Sequence, residues 1–227
     1  MGEGELYLVS TPIGNLKDIT LRALEVLKEV DVILCEDTRR TRKLLSHYRI
    51  RGKLLSFYSH NQERRIPQVI ELLKEGKKVA LVSDSGTPGI SDPGFYLVKK
   101  AIEESIKVIP IPGPTALISA LTVSGLPTQR FTFYGFLPST GKMRRRLLKK
   151  IKEREETIIF FLSPHKVLKS LEDIYQILGD RQVSLVREIT KIHEEVIRDK
   201  VSSLMTHLKV NPHKLKGEMV LALEGKK

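Results

Sequence analysis

The stretch VALVSDSGTPGISDPG, Val79 to Gly94, decides the fold class. Its first four residues form an apolar run after the break at Gly76, which reads as a short buried strand. Three glycines, two prolines and several short polar side chains follow from Ser83 to Gly94, forbidding a helix and exposing backbone groups. A strand that runs into such a loop is the unit from which open parallel α/β sheets are built, and ligands bind at that carboxyl end. The bland alternative is a long connection without a task; long ordered loops in compact domains are usually functional.

Outward from this loop, strand and helix alternate. Leu6–Ser10, Val30–Cys35, Leu54–Tyr58 and Val108–Ile111 read as strands. Thr20 caps a helix whose Leu21, Leu24 and Leu27 share a face. Further helices are predicted at Thr38–His47, Ile66–Lys74 and Gly94–Glu104. The order implies a mostly parallel sheet covered on both faces. The rhythm changes after Gly125, which sets the expected boundary: one α/β domain over residues 1–127 and a second, with a mixed sheet, over 128–227. In the second, strands are expected at 131–136, 157–162, 182–186, 194–198 and 218–223, and helices at 166–178 and 201–208, with a basic helix ahead of them.

The chain has 227 residues and a formal charge of +12, from 39 Lys and Arg against 27 Asp and Glu. That balance favours an anionic partner, nucleic acid first. Cys35 is the single cysteine, so no internal disulfide and no all-cysteine zinc site exists, and its apolar run makes it a buried strand thiol. The N-terminus does not read as a signal peptide. The uncharged segment Val108–Gln129 is broken by Pro110, Pro112, Gly113 and Pro114, too early to span a bilayer. A cytoplasmic protein is expected. Six histidines lack metal-site spacing, and no metal is expected.

Three loops follow strands of the first domain. TPIGNLKD, Thr11 to Asp18, permits close backbone approach at Pro12 and Gly14 but carries no dinucleotide or P-loop fingerprint. EDTRRT, Glu36 to Thr41, reads two ways. It is an ordinary helix cap with a solvated arginine face, or a set of acids and arginines that hold a hydroxyl and a phosphate. PGPTA, Pro112 to Ala116, opens a helix whose free N–H groups suit a carboxylate, or is simply a rigid turn.

Together with IPGPTA, LVSTPIGNLKDIT, ILCEDTRRT, LVSDSGTPGISDPG and the terminal KGEMVLALEG, the chain resembles the S-adenosylmethionine-dependent tetrapyrrole methylase superfamily. Within it, the likeness is to the branch of cytidine 2′-O-methyltransferases of small-subunit (16S) ribosomal RNA. Gly86-Thr87-Pro88 stands where a typical member has Gly-Asp-Pro, a departure toward the RNA branch. The resemblance covers nearly the whole chain. It implies two α/β domains with the cofactor cleft between them, a homodimer, and 16S ribosomal RNA, within the small subunit, as substrate.

By position, S-adenosylmethionine would lie against Pro12, Ser85, Gly86, Thr87, Ile90, Thr115 and Ala116, with Leu162 and Ile189 meeting its adenosine portion. Glu36, Asp37 and Arg39 are the catalytic candidates for work on a ribose hydroxyl. Asn15, Lys17, Arg40, His60 and Asn61 are assigned to the substrate. Asp84 and Asp92 read as loop-shaping residues. In the basic segment Gly141 to Arg154, Met143, Leu147, Leu148 and Ile151 are expected to face inward. The cations, Arg144 and Arg145 among them, are expected to face an RNA backbone rather than solvent alone.

Overall fold

A computed structural model of the chain describes residues 4–226. The backbone contacts divide the chain into two compact units that meet at Thr115 and Ala116.

The first unit is an all-parallel five-stranded sheet. Its strands are β1 (Glu5–Val9), β2 (Val32–Cys35), β3 (Leu54–Ser56), β4 (Lys78–Val82) and β5 (Lys107–Ile111), in the spatial order β3-β2-β4-β1-β5. The joining helices are α1 (Leu21–Glu29), α2 (Thr38–His47), α3 (Gln62–Lys74) and α4 (Phe95–Glu103). Strand alternation explains the two cores. Val79 and Leu81 point into one with residues of α3 and α4, whereas Ala80 and Val82 point into the other with residues of α1 and α2. Cys35 lies in the second core as a buried thiol whose pKa burial pushes up. Thr20 does cap α1, its hydroxyl accepting from the Ala23 N–H. Of the expected leucine face, Leu27 is buried and Leu24 packs against the core, but Leu21 is 80% exposed, and Ala23 joins Leu27 in the inward positions. The spacing i, i+4 keeps those two on one stripe, while Leu21 sits in the first turn outside it.

The second unit has β6 (Phe131–Phe136), β7 (Thr157–Leu162), β8 (Gln182–Arg187), β9 (Glu195–Lys200) and β10 (Met219–Leu223), ordered β6-β7-β10-β8-β9. Only β6 and β7 pair in parallel; the other pairs are antiparallel, so the sheet is mixed as its sequence suggests. One face packs against α6 (Gly141–Lys150), α7 (Val167–Leu178) and α8 (Val201–Val210). The other takes α5 (Ala116–Thr122), whose Ala120 and Leu121 bury against Ile159, Val186, Val220 and Ala222. That packing assigns α5 to the second sheet. The division therefore falls earlier than the 127/128 break read from composition. No helix among the described residues is long and apolar enough to cross a membrane.

Candidate functional site

At the carboxyl end of the first sheet, three loops are sewn together by hydrogen bonds. Thr11 and Gly86 exchange both backbone bonds, at 2.9 and 3.0 Å, joining the loop after β1 to the loop after β4. The Thr11 hydroxyl donates to the Ser83 carbonyl at 3.1 Å, and the Ser83 hydroxyl to the Gly86 carbonyl at 2.8 Å. Thr87 reaches the third loop: its hydroxyl lies 3.0 Å from that of Ser10 and donates to the Pro114 carbonyl at 3.3 Å. Gly86 has φ +90, a conformation that a side chain resists. At Gly113 an added Cβ would stand 2.9 Å from Ser10 Cβ. Gly86 is thus required by its backbone conformation and Gly113 by its close approach to Ser10. Pro12 is buried beneath this junction, Ser85, Thr87 and Thr115 are half-buried, and Ile90 is exposed at the loop's tip.

Beside it lies a charged group built from the β2 and β4 loops. The Asp37 side chain caps α2 through the Arg39 N–H at 2.8 Å and grips the Arg39 guanidinium at 3.1 and 2.8 Å. Those bonds hold Asp37 well below the usual carboxylate range, so it is a poor base. The Asp37 N–H donates to Asp84 at 3.1 Å, and Asp84 also pairs with Arg40 at 3.6 Å. Asp84 therefore shapes the loops, as its sequence position suggested. Glu36 differs, since burial pushes its pKa up despite the Asp84 N–H beside it. Asp92 is raised to about 7, first by burial and then by the charges of Glu36 and Asp84. Sequence reasoning passed over Asp92 as a proton carrier; only the enclosure of three carboxylates from two loops reveals it.

The remaining assignments scatter. The Asn15 side chain accepts from the Lys17 N–H at 3.1 Å, closing a short turn that leaves Lys17 exposed. His60 is exposed with its ring edge-on to Tyr58. Asn61 does not face a substrate. It is buried, accepting from the Tyr58 N–H at 2.8 Å and donating to the Ser56 carbonyl at 3.2 Å, because the chain must turn from β3 into α3 there.

In the second unit, Leu162 ends β7 and Ile189 follows β8. Leu162 and Arg187 both register against Met219, which brings the ends of β7 and β8 to the same edge of their sheet. Ala116 and Ile189 pack against one apolar cluster, that of Val186 and Val220. Of the amides from Glu188 to Lys191, only that of Ile189 has no partner among the described residues, and its carbonyl accepts no bond there. A cofactor carrying a purine edge fits such a free donor–acceptor pair.

The basic helix α6 corrects two expectations. Arg144 is turned inward, its side chain 5% exposed, with Nε and Nη2 on Asp173 at 2.7 and 2.6 Å. Its Nη1 donates to the Pro138 and Ser139 carbonyls. It is a structural ion pair, not an RNA contact. Met143, expected inside, is 63% exposed in its stead. Arg145 remains half-exposed while reaching Asp173 at 3.4 Å, and Lys142, Arg146, Lys149 and Lys150 face solvent. Among the described residues no cluster of three His, Cys, Asp or Glu is placed to hold a metal ion. A recess of about 440 Å³ near Arg181 lies at the opposite strand ends of the second sheet, and Arg181 spends its guanidinium there on backbone carbonyls.

Residues 5–205 match the family model of tetrapyrrole (corrin/porphyrin) methylases. The chain is 54% identical to the ribosomal RNA small subunit methyltransferase I of Thermotoga maritima, over 98% of this chain and 99% of that one. It is 49% identical to the protein of the same name from Escherichia coli O157:H7, over 99% of this chain and 79% of that one. Among solved structures, a cobalt precorrin-4 methyltransferase of cobalamin biosynthesis superposes with a TM-score of 0.69. That match has 22% identity and covers 96% of this chain and 94% of the other, a likeness of fold.

Proposed function

Because the chain belongs to the tetrapyrrole (corrin/porphyrin) methylases, we propose that it transfers a methyl group from S-adenosylmethionine to small-subunit (16S) ribosomal RNA. The observation that carries the substrate is the full-length likeness to a protein named for that reaction. The finer reading is methylation of the 2′-oxygen of a cytidine ribose by a homodimer; the EDTRRT loop and the Gly86-Thr87-Pro88 departure support it.

The joined loops fit the cofactor. Ser85 to Ile90, with Pro12 and Thr115, supply backbone groups and a close approach at Gly86 for its methionine portion. Ala116, Leu162 and the free backbone pair of Ile189 suit the adenosine portion. When bound, the cofactor supplies a methyl group on a sulfonium, an electrophile that needs no metal. The protein's part is to orient the acceptor and to take its proton. Orientation alone supplies much of the barrier reduction in a displacement of this kind.

A ribose hydroxyl gives up its proton reluctantly, so a base of near-neutral pKa helps. Asp92, raised to about 7, has that character; burial pushes the neighbouring Glu36 in the same direction, whereas Asp37 holds the α2 terminus and Arg39 in place. The exposed cations of α6 suit an RNA backbone.

The test is incubation of small ribosomal subunits with methyl-labelled S-adenosylmethionine, followed by mapping of the modified nucleotide. Label on a cytidine 2′-oxygen is expected. Label on a base would sink the ribose reading and leave the class intact, and label only in a porphyrinoid would sink the RNA reading. Sedimentation at micromolar concentration checks the dimer.

A further inference from the structure

Two left-handed residues flank Ile189. Glu188 has φ 54 and Thr190 φ 66, a conformation that non-glycine residues adopt rarely and keep only where the surroundings enforce it. The enforcement is visible. The Glu188 N–H donates to the Glu218 carbonyl at 2.9 Å, and the Glu218 N–H returns to Glu188 Oε1 at 2.8 Å. Lys191 Nζ then bridges Glu188 Oε1 and Glu218 Oε2, each at 3.0 Å, while the Lys191 N–H donates to the Glu188 carbonyl. The Thr190 N–H is taken by the Glu194 carboxylate.

Gly217 completes the arrangement. A Cβ there would sit 2.3 Å from Glu188 Oε1, so only glycine lets this carboxylate tuck beneath the turn. The N–H groups of Glu188, Thr190 and Lys191 are thus engaged, whereas among the described residues the Ile189 N–H and C=O have no partner and its side chain packs against the sheet's apolar cluster. Such a donor–acceptor pair is available to a ligand that carries the complementary acceptor and donor.

We propose that Glu188, clamped by Lys191 and Glu218, is a positioning residue that holds the turn presenting the Ile189 backbone pair to the adenosine portion of the cofactor. The proposal rests on the reading of Ile189 given above and assigns the device that aims it. It predicts a loss confined to cofactor affinity. Neither the acceptor nor the proton transfer meets Glu188.

Calorimetry with S-adenosylhomocysteine, and steady-state kinetics on small ribosomal subunits, test it. Glu188→Ala is expected to weaken binding and to raise KM for S-adenosylmethionine by about tenfold or more, with kcat at saturating cofactor and KM for RNA within about twofold. Glu188→Gln keeps an acceptor for the Glu218 N–H and is expected to recover most of the affinity. Arg144→Ala serves as the control: it destabilises the same unit away from the turn and should bind the ligand normally while folded. If Glu188→Ala does not fold, Lys191→Met removes the bridge alone and should weaken binding by about threefold. Normal affinity in the folded Glu188 and Lys191 variants overturns the clamp. No binding by the unaltered protein overturns the cofactor reading itself, and with it this one.

Discussion

A carboxylate enclosed with two others keeps its proton until the solution is nearly neutral, and Asp92 does so at about 7 against an ordinary value of 3.8. If Asp92 takes the hydroxyl proton, activity should climb as pH rises through 7, and Asp92→Asn should remove most turnover and flatten that limb. The sign for stability is opposite. Between pH 3.8 and about 7 the folded state holds a proton that the unfolded chain has released. Folding stability contributed by this group is therefore complete below that window and lost as pH rises through it. Asp92→Asn, which cannot ionise, is expected to be more stable than the parent at pH 8 by about 1–3 kcal/mol, discounting for partial solvent access. At pH 4 it should be indistinguishable. Denaturant titrations at the two values check this, and equal stability changes at both would refute it. None of it was legible in the sequence, because Glu36, Asp84 and Asp92 come from two loops whose approach only the fold decides. Thr20, by contrast, was legible as a cap, since capping needs only its own next three residues.

At the scale of elements, α6 shows what periodicity delivers and where it stops. Its start and its dense cations are readable, although it ends at Lys150 rather than running on to Arg154, and Leu148 is buried as the pattern requires. The choice between Met143 and Arg144 for the inward position is not, because the deciding partner, Asp173, lies on α7. Removing one member of a buried pair strands the other, so Arg144→Ala should cost about 3–5 kcal/mol in unfolding measurements. Exchange of both, Arg144→Met with Asp173→Leu, should recover much of that loss. The exposed side of the helix predicts differently. Charge reversal at Lys149 and Lys150 should leave stability within about 0.5 kcal/mol. It should weaken RNA binding across sequences and lower the salt slope by about one unit for each phosphate left unneutralised. Binding with an unchanged slope would remove α6 from the RNA face. The left-handed turn at Glu188 and Thr190 falls in the unreadable class as well. Neither residue type advertises φ above zero, and only the adjacency of Gly217 and Glu218 makes it tenable.

For the whole molecule, each sheet has its own apolar cores, so alternation along single strands sufficed to give two α/β units, one parallel and one mixed. Alternation says nothing of which unit claims a short connecting helix, and α5 went to the second through Ala120 and Leu121. Separate cores predict separable cooperativity: calorimetry of the free protein should show an unfolding endotherm broader than a single two-state transition. The proposed cofactor reading draws on residues of each unit, Ser85 to Ile90 in the first and Leu162 and Ile189 in the second, and is open to test on that point. A ligand that binds only the native form stabilises whatever must stay folded to hold it, by about 2.7 kcal/mol at a hundredfold excess over its dissociation constant. Saturating S-adenosylhomocysteine should therefore raise the melting of both units and sharpen the endotherm, whereas a shift of one unit alone would confine the cofactor to that unit's residues and strike the others from the site.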